Sequence, residues 1–183
     1  MNELANRKVR ADAIMVEQTN GHRAVAICTL PNLKAYEVAR PGMLKKLVAD
    51  GIVKEYKSLD EIAADYKIPA DELKKTVEGF NKAVTSKNDP EFGRYINNEQ
   101  VPLTEGPWYA AEMSPKVHHC MGGLVTDMKC HVIDIVDSKP IAGLYAAGEA
   151  TSGVHGAVRL GSCAILDCLV NGRIAGQNAA KGE

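Results

Sequence analysis

The sequence predicts a mixed α+β or α/β chain, helical over about the first 110 residues, then strand-rich, and closed by a long helix. Three observations carry this reading. Leu73, Val77, Phe80 and Val84 recur at helical spacing, with Glu72, Lys74, Lys75, Glu78 and Lys82 left for water. Leu124-Val125-Thr126-Asp127 and His131-Val132-Ile133-Asp134 read as the two arms of a β-hairpin. From Gly143 to Gly176 the chain reads GLYAAGEATSGVHGAVRLGSCAILDCLVNGRIAG, which is a short apolar strand, a glycine loop and an apolar helix in that order. That order lets a backbone approach a flat or anionic ligand closely.

Taken in order, Met1 to Gln18 reads as a helix on the partial stripe Leu4, Val9, Ala13 and Ile14. Glu3 and Arg7 are four apart, a spacing that gives a surface ion pair worth a few tenths of a kcal/mol. Arg23 to Thr29 reads as a short strand. Pro41-Gly42 punctuates the chain before a helix on Met43, Leu44, Leu47 and Val48, ending near Gly51. Ser58-Leu59-Asp60-Glu61 is a capping box opening a helix to about Lys67, and Pro69 restarts the chain. Asn88-Asp89-Pro90, Gly93, Asn97-Asn98 and Pro102 are turn chemistry. Trp108 reads as a core or hinge aromatic, and Trp108-Tyr109-Ala110-Ala111 as the start of the second domain. His131 lies in a strand without a motif and reads as structural. The last helix, Cys163 to Ala180, carries Ala164, Gly172, Ala175, Gly176 and Ala179, small residues suited to close packing on a sheet.

Composition excludes several classes. With 22 basic and 23 acidic residues the net charge is −1 and the signs are mixed, so neither nucleic acid nor an acidic membrane surface is a partner by charge. No apolar run reaches a membrane span, no signal-peptide pattern follows Met1, and the compartment stays undetermined. The five cysteines form no CxxC pair and no metal set is read.

The chemistry concentrates in the glycine loop and just ahead of it. Glu149, at the strand end after Gly148, is an acceptor for sugar-like hydroxyls. Ser162, Cys163, Ala164 and Ile165 present amides at the positive end of the last helix, a seat for an anionic carbonyl group. Arg159 stands just before that helix, and its fork suits a carboxylate bidentately. His118-His119 precede Met121-Gly122-Gly123.

The Gly143 to Gly176 stretch resembles the C-terminal flavin-binding signature of the fumarate reductase/succinate dehydrogenase flavoprotein family, nearest its soluble branch of flavocytochrome c fumarate reductases and urocanate reductase. Val117-His118-His119-Cys120-Met121-Gly122-Gly123 resembles that branch's double-histidine segment. The resemblance implies FAD as cofactor, with residues 1–112 as part of a substrate-capping domain and 113–183 as the C-terminal part of the flavin domain. The family's N-terminal GxGxxG fingerprint has no counterpart here, so the Rossmann half is expected to be absent from this chain. Either a fragment or a split gene follows, with an N-terminal half supplying the adenine and pyrophosphate site.

The resemblance also implies roles. His118 and Arg159 grip a substrate carboxylate, with Asn2 and Ser162 beside the substrate. His119, Gly122, Gly123, Gly148, Glu149, Ala164 and Ile165 contact the flavin, and Glu3 with Arg7 relays protons. Two departures narrow the substrate. The family's acid arginine has no counterpart between Ala24 and Ala39, where Cys28, Thr29, Lys34 and Tyr36 stand nearest. Val158, Ser162 and Cys163 replace the asparagine before the clamp arginine and the glycine-asparagine pair after it. The implied activity is FAD-dependent reduction of the C=C bond of a small α,β-unsaturated carboxylic acid other than fumarate, with the electron donor unspecified. A dehydrogenase or oxidase of the same superfamily is one alternative, and an inactive fragment serving as an interaction module is another.

Overall fold

The computed structural model describes residues 2 and 4–182; Glu3, expected in the proton relay, lies outside the described residues. The chain divides into two compact units, Met1–Pro115 and Lys116–Glu183.

The first unit runs α1 (Arg7–Thr19), β1 (Ala24–Thr29), α2 (Leu30–Ala39), α3 (Met43–Ala49), β2 (Lys54–Tyr56), α4 (Leu59–Tyr66), α5 (Ala70–Ser86) and β3 (Trp108–Met113). Its three strands form one antiparallel sheet in the order β1-β3-β2. The strand expected at Arg23 to Thr29 is present as β1, and two further strands stand in the part expected to be otherwise helical. Trp108-Tyr109-Ala110-Ala111 does not open the second unit; it is the central strand of the first, with Thr29 opposite Trp108 on one side and Tyr56 on the other. Pairing partners this far apart in sequence leave no local pattern. Helix α2, a stretch with no helical stripe, follows directly on β1, its start tied by Thr29 Oγ1 donating to Asn32 Oδ1 at 2.5 Å.

Two local expectations change at helix starts. Helix α1 begins at Arg7, not Met1, because Asn6 accepts the Val9 amide at 3.0 Å; the expected pairing of Arg7 with Glu3 falls outside the described residues. At α4 the Ser58 side chain accepts the Glu61 amide, while the Glu61 carboxylate accepts from Lys57 N at 2.7 Å, one residue outside the expected box. The core lies where α4 and α5 cover the sheet: Ile62, Ala63, Leu73 and Val77 meet Tyr56 and Trp108. Ile62 is fully buried.

The second unit holds β4 (His131–Ile133), β5 (Pro140–Tyr145), a 3-10 turn at Gly148–Ala150, and α6 (Cys163–Lys181). The expected hairpin of residues 124–127 with 131–134 is present in short form, an antiparallel bridge between Thr126 and Val132 flanked by Ile133 N donating to Val125 O and Asp127 N to His131 O; β4 also pairs antiparallel with β5. The Asp127 side chain redirects the chain by accepting the amides of Lys129 and His131, both at 2.9 Å. Strand β5 is exposed from Pro140 to Leu144 rather than buried, since a two-stranded ribbon gives it one neighbour. Helix α6 buries only Asp167 among its described residues, and Gly172 and Gly176 face open space. Its close approach is made elsewhere, at Gly148. No helix among the described residues is long and apolar enough to cross a membrane.

Candidate active site

The second unit brings the double histidine, the glycine loop and Arg159 into one neighbourhood, and two glycines explain how. Residues 122–124 run beside the 3-10 turn: Leu124 N donates to Ala150 O and Ser152 N to Leu124 O, both at 2.9 Å. A Cβ on Gly123 would lie 2.4 Å from Ala150 O, so only glycine allows this approach. Gly148 has φ +71°, and a Cβ there would stand 2.8 Å from Cys168 Sγ on α6. These contacts seat the segment carrying His118 and His119 against Glu149, and Glu149 against the last helix.

Glu149 is the hub. Its Oε1 accepts the Cys120 amide at 2.9 Å and its Oε2 lies 3.1 Å from His119 Nδ1. The Cys120 N–H, aided by the charges of His119, Arg159 and His118, holds this carboxyl below the usual glutamate range. About half of its side chain stays exposed, at 52%, so oxygen lone pairs remain for a ligand. The His119 ring is nearly buried at 7%, whereas His118 is exposed. Arg159 is 8% exposed; Nη1 donates to the Leu160 carbonyl at 2.9 Å and the buried Nε has no partner. No acidic group among the described residues closes on it as an ion pair.

Three residues of this neighbourhood escaped the sequence reading. Asp167 is buried on α6 and accepts from Asn171 Nδ2 at 2.6 Å, with its other oxygen 3.1 Å from His155 Nε2. The His155 ring in turn meets the His119 ring at 5.4 Å between centroids and 77° between planes. A signal existed: Asp167 is the one carboxylate in the apolar run Ala164-Ile165-Leu166-Asp167-Cys168-Leu169-Val170. His155 and Asp167 also line a cleft of about 430 Å³ with Val158, Leu160, Cys163 and Leu166.

The other expected site residues divide between the units. Gly122 has open space around it. Ser162 adopts a left-handed φ of +68° as N-cap of α6 and gives its amides no side-chain cap, so the first turn with Ala164 and Ile165 keeps its positive end open. Asn2 and Arg7 belong to the first unit. Asn2 spends its amide on the Phe92 carbonyl and the Leu4 N–H, and Arg7 is exposed. Of the residues near the missing acid arginine, Thr29 is 1% exposed and bonded to Asn32, while burial pushes the Cys28 thiol up.

An exposed carboxylate at the strand end and an uncapped helix start fit a flavin, whose ribityl hydroxyls need acceptors and whose reduced ring is anionic. The comparisons agree. Residues 1–165 match the FAD binding domain family. The chain is 35% identical over 177 residues to the acrylate reductase flavoprotein subunit of Shewanella woodyi, covering 96% of this chain and 34% of that protein. It is 37% identical over 181 residues to the urocanate reductase of Eggerthella lenta, covering 97% and 29%. The solved open conformation of a flavocytochrome c3 fumarate reductase matches with a TM-score of 0.66 and 36% identity, over all of this chain and 30% of that one. The chain thus spans about a third of the length of the relatives it matches. With nine-tenths of its residues inside the family match, and its glycine loop, hub carboxylate and open helix start in the same unit, the chain belongs to the FAD binding domain family.

Proposed function

We propose that this chain is the capping and C-terminal flavin-contacting part of an FAD-dependent reductase acting on the C=C bond of a small α,β-unsaturated carboxylic acid other than fumarate. One observation carries the reading: a buried guanidinium with no acidic partner, Arg159, beside two histidines and a carboxylate. A buried cation costs several kcal/mol unless an anion meets it, and a substrate carboxylate supplies that anion. His118, exposed next to His119, is the second grip. Glu149, Ala164 and Ile165, with His119, Gly122, Gly123 and Gly148, hold the cofactor side.

Bound FAD, when reduced, supplies the hydride from N5 to one alkene carbon. Arg159 and His118 fix the carboxylate so that the alkene is held in line for transfer, which lowers the barrier by orientation. The Arg159 guanidinium, with His118 beside the same carboxylate, stabilises the enolate-like charge that builds as the bond is reduced. A proton then reaches the other carbon. Glu3 and Arg7 are assigned to that delivery on the resemblance alone, and Asn2 and Ser162 to substrate fit. The first unit is assigned as the substrate cap. The relatives' greater length supports a separate N-terminal half carrying the nucleotide end of FAD.

The test is the visible absorbance spectrum of the purified chain with FAD, alone and after co-expression with a candidate N-terminal half. Flavin bound in the pair supports the reading; no flavin in either preparation shifts it to a non-catalytic interaction module. In the flavin-loaded pair, Arg159→Ala is expected to lower turnover of the true acid roughly 100-fold, the loss of a charged bidentate contact. Unchanged turnover would remove Arg159 from the site. The lack of an arginine between Ala24 and Ala39 favours, as a second reading, a dehydrogenase running in reverse. Turnover sustained by an electron acceptor rather than a donor would establish it.

A further inference from the structure

Asp167, His155, His119 and Glu149 form a continuous series. Asp167 has a side chain 3% exposed and divides its oxygens between Asn171 Nδ2 and His155 Nε2. His155, itself 13% exposed, lies against the His119 ring. His119 Nδ1 meets Glu149 Oε2, and Glu149 Oε1 takes the Cys120 amide. An ionised carboxylate only accepts hydrogen bonds, so the nitrogen facing it carries the hydrogen. His155 is therefore protonated on Nε2, while His119 Nδ1 stands within ion-pair reach of Glu149.

We propose that Asp167 and His155 are positioning residues: they lock one His155 tautomer and, through the ring contact, hold His119 in the orientation that Glu149 requires. The proposal rests on the functional reading only for what His119 serves; the tautomer pattern belongs to the chain itself. Neither residue is assigned contact with the substrate. A buried acid paired for stability alone would leave the His119 ring indifferent to changes at residues 155 and 167. A positioning pair would not.

The experiment is long-range proton–nitrogen correlation of the histidine rings in the full 183-residue chain without flavin, at about pH 8.5, above the ordinary histidine range. The wild type is expected to give one tautomer for His155, Nε2–H, and one set of ring signals for His119. Asp167→Asn is expected to mix the His155 tautomers and shift the His119 signals, and Asp167→Glu to restore both in part. His155→Gln keeps the Asn171 bond to Asp167 and is expected to shift the His119 signals as well, so it carries the test if Asp167→Asn fails to fold. Glu149→Gln is expected to change His119 and leave His155 as it was. Unmoved His119 signals in His155→Gln, or a wild-type His155 protonated on Nδ1, would overturn the proposal even if every variant of Asp167 unfolds. Failure of the chain to bind flavin would sink the functional reading and leave this result standing.

Discussion

Glu149 joins fold and chemistry at the scale of single residues, because it both anchors the Cys120 amide and faces His119 with half of its side chain exposed. Its folded-state proton affinity is depressed, first by the Cys120 N–H and then by His119, Arg159 and His118. A depressed carboxyl adds stability above its unfolded value, about pH 4.3, and that stability is lost as pH falls through the lower folded value. Asp127 acts in the same direction: bonds from His131 and the Lys129 amide outweigh the burial that opposes them. Thermal unfolding followed downward from about pH 6 is therefore expected to show a falling midpoint, and Glu149→Gln a shallower fall. An equal slope in both proteins would show that the carboxylate's contacts do not persist in solution. Gly123→Ala tests the backbone approach that sets this cluster. Its methyl would press on Ala150 O and the Thr151 carbonyl carbon, and a loss of roughly 1–3 kcal/mol in denaturant unfolding is expected. Arg159, His118, His119 and Glu149 could be proposed from sequence because they sit in two short blocks, and the structure brings them into one neighbourhood. Asp167 and His155, twelve positions apart, became a pair only when α6 and the glycine loop were folded against each other.

At the scale of elements, helices that announce themselves by caps and stripes were found, and those formed by their surroundings were not. Helix α4 is the clear case of the first kind. Ser58→Ala removes the acceptor for the Glu61 amide and is expected to cost about 1 kcal/mol, read as a lower denaturant midpoint at unchanged slope. Helix α2 is the second kind; it begins straight off β1 and carries no buried residue. Strands fared worse. The three residues of β2 have no pattern of their own and are strand only because Tyr56 and Lys54 face Trp108 and Ala110 of β3. The hairpin expected at residues 124–134 forms only in part: backbone bonds join Asp127 to His131 and Val125 to Ile133, Asp127 holds the turn through the amides of Lys129 and His131, and β4 also pairs with β5. Helix α6 was placed correctly to within a residue at its C-terminus, yet its apolar residues Ile165, Leu166 and Leu169 are exposed.

At the scale of the whole molecule the chain falls into two compact units, and a change in the first unit's core is expected to act on that unit. Ile62 is fully buried in the first unit's core, and Ile62→Ala is expected to destabilise by about 2–5 kcal/mol. Hydrogen exchange should then accelerate across residues 58–86 and leave amides 124–151 unchanged. Acceleration in both stretches would mean the units unfold together. The sequence by itself determined the family, the mixed class and the main helices, because glycine loops, caps and helical stripes are short-range patterns. Only the tertiary structure decided that β3 belongs to the first unit, that Gly123 and Gly148 are packing contacts, and that Asp167 stands behind His119. Each of those facts is a meeting of residues distant along the chain, and such meetings are set by which surfaces bury against each other rather than by any local pattern.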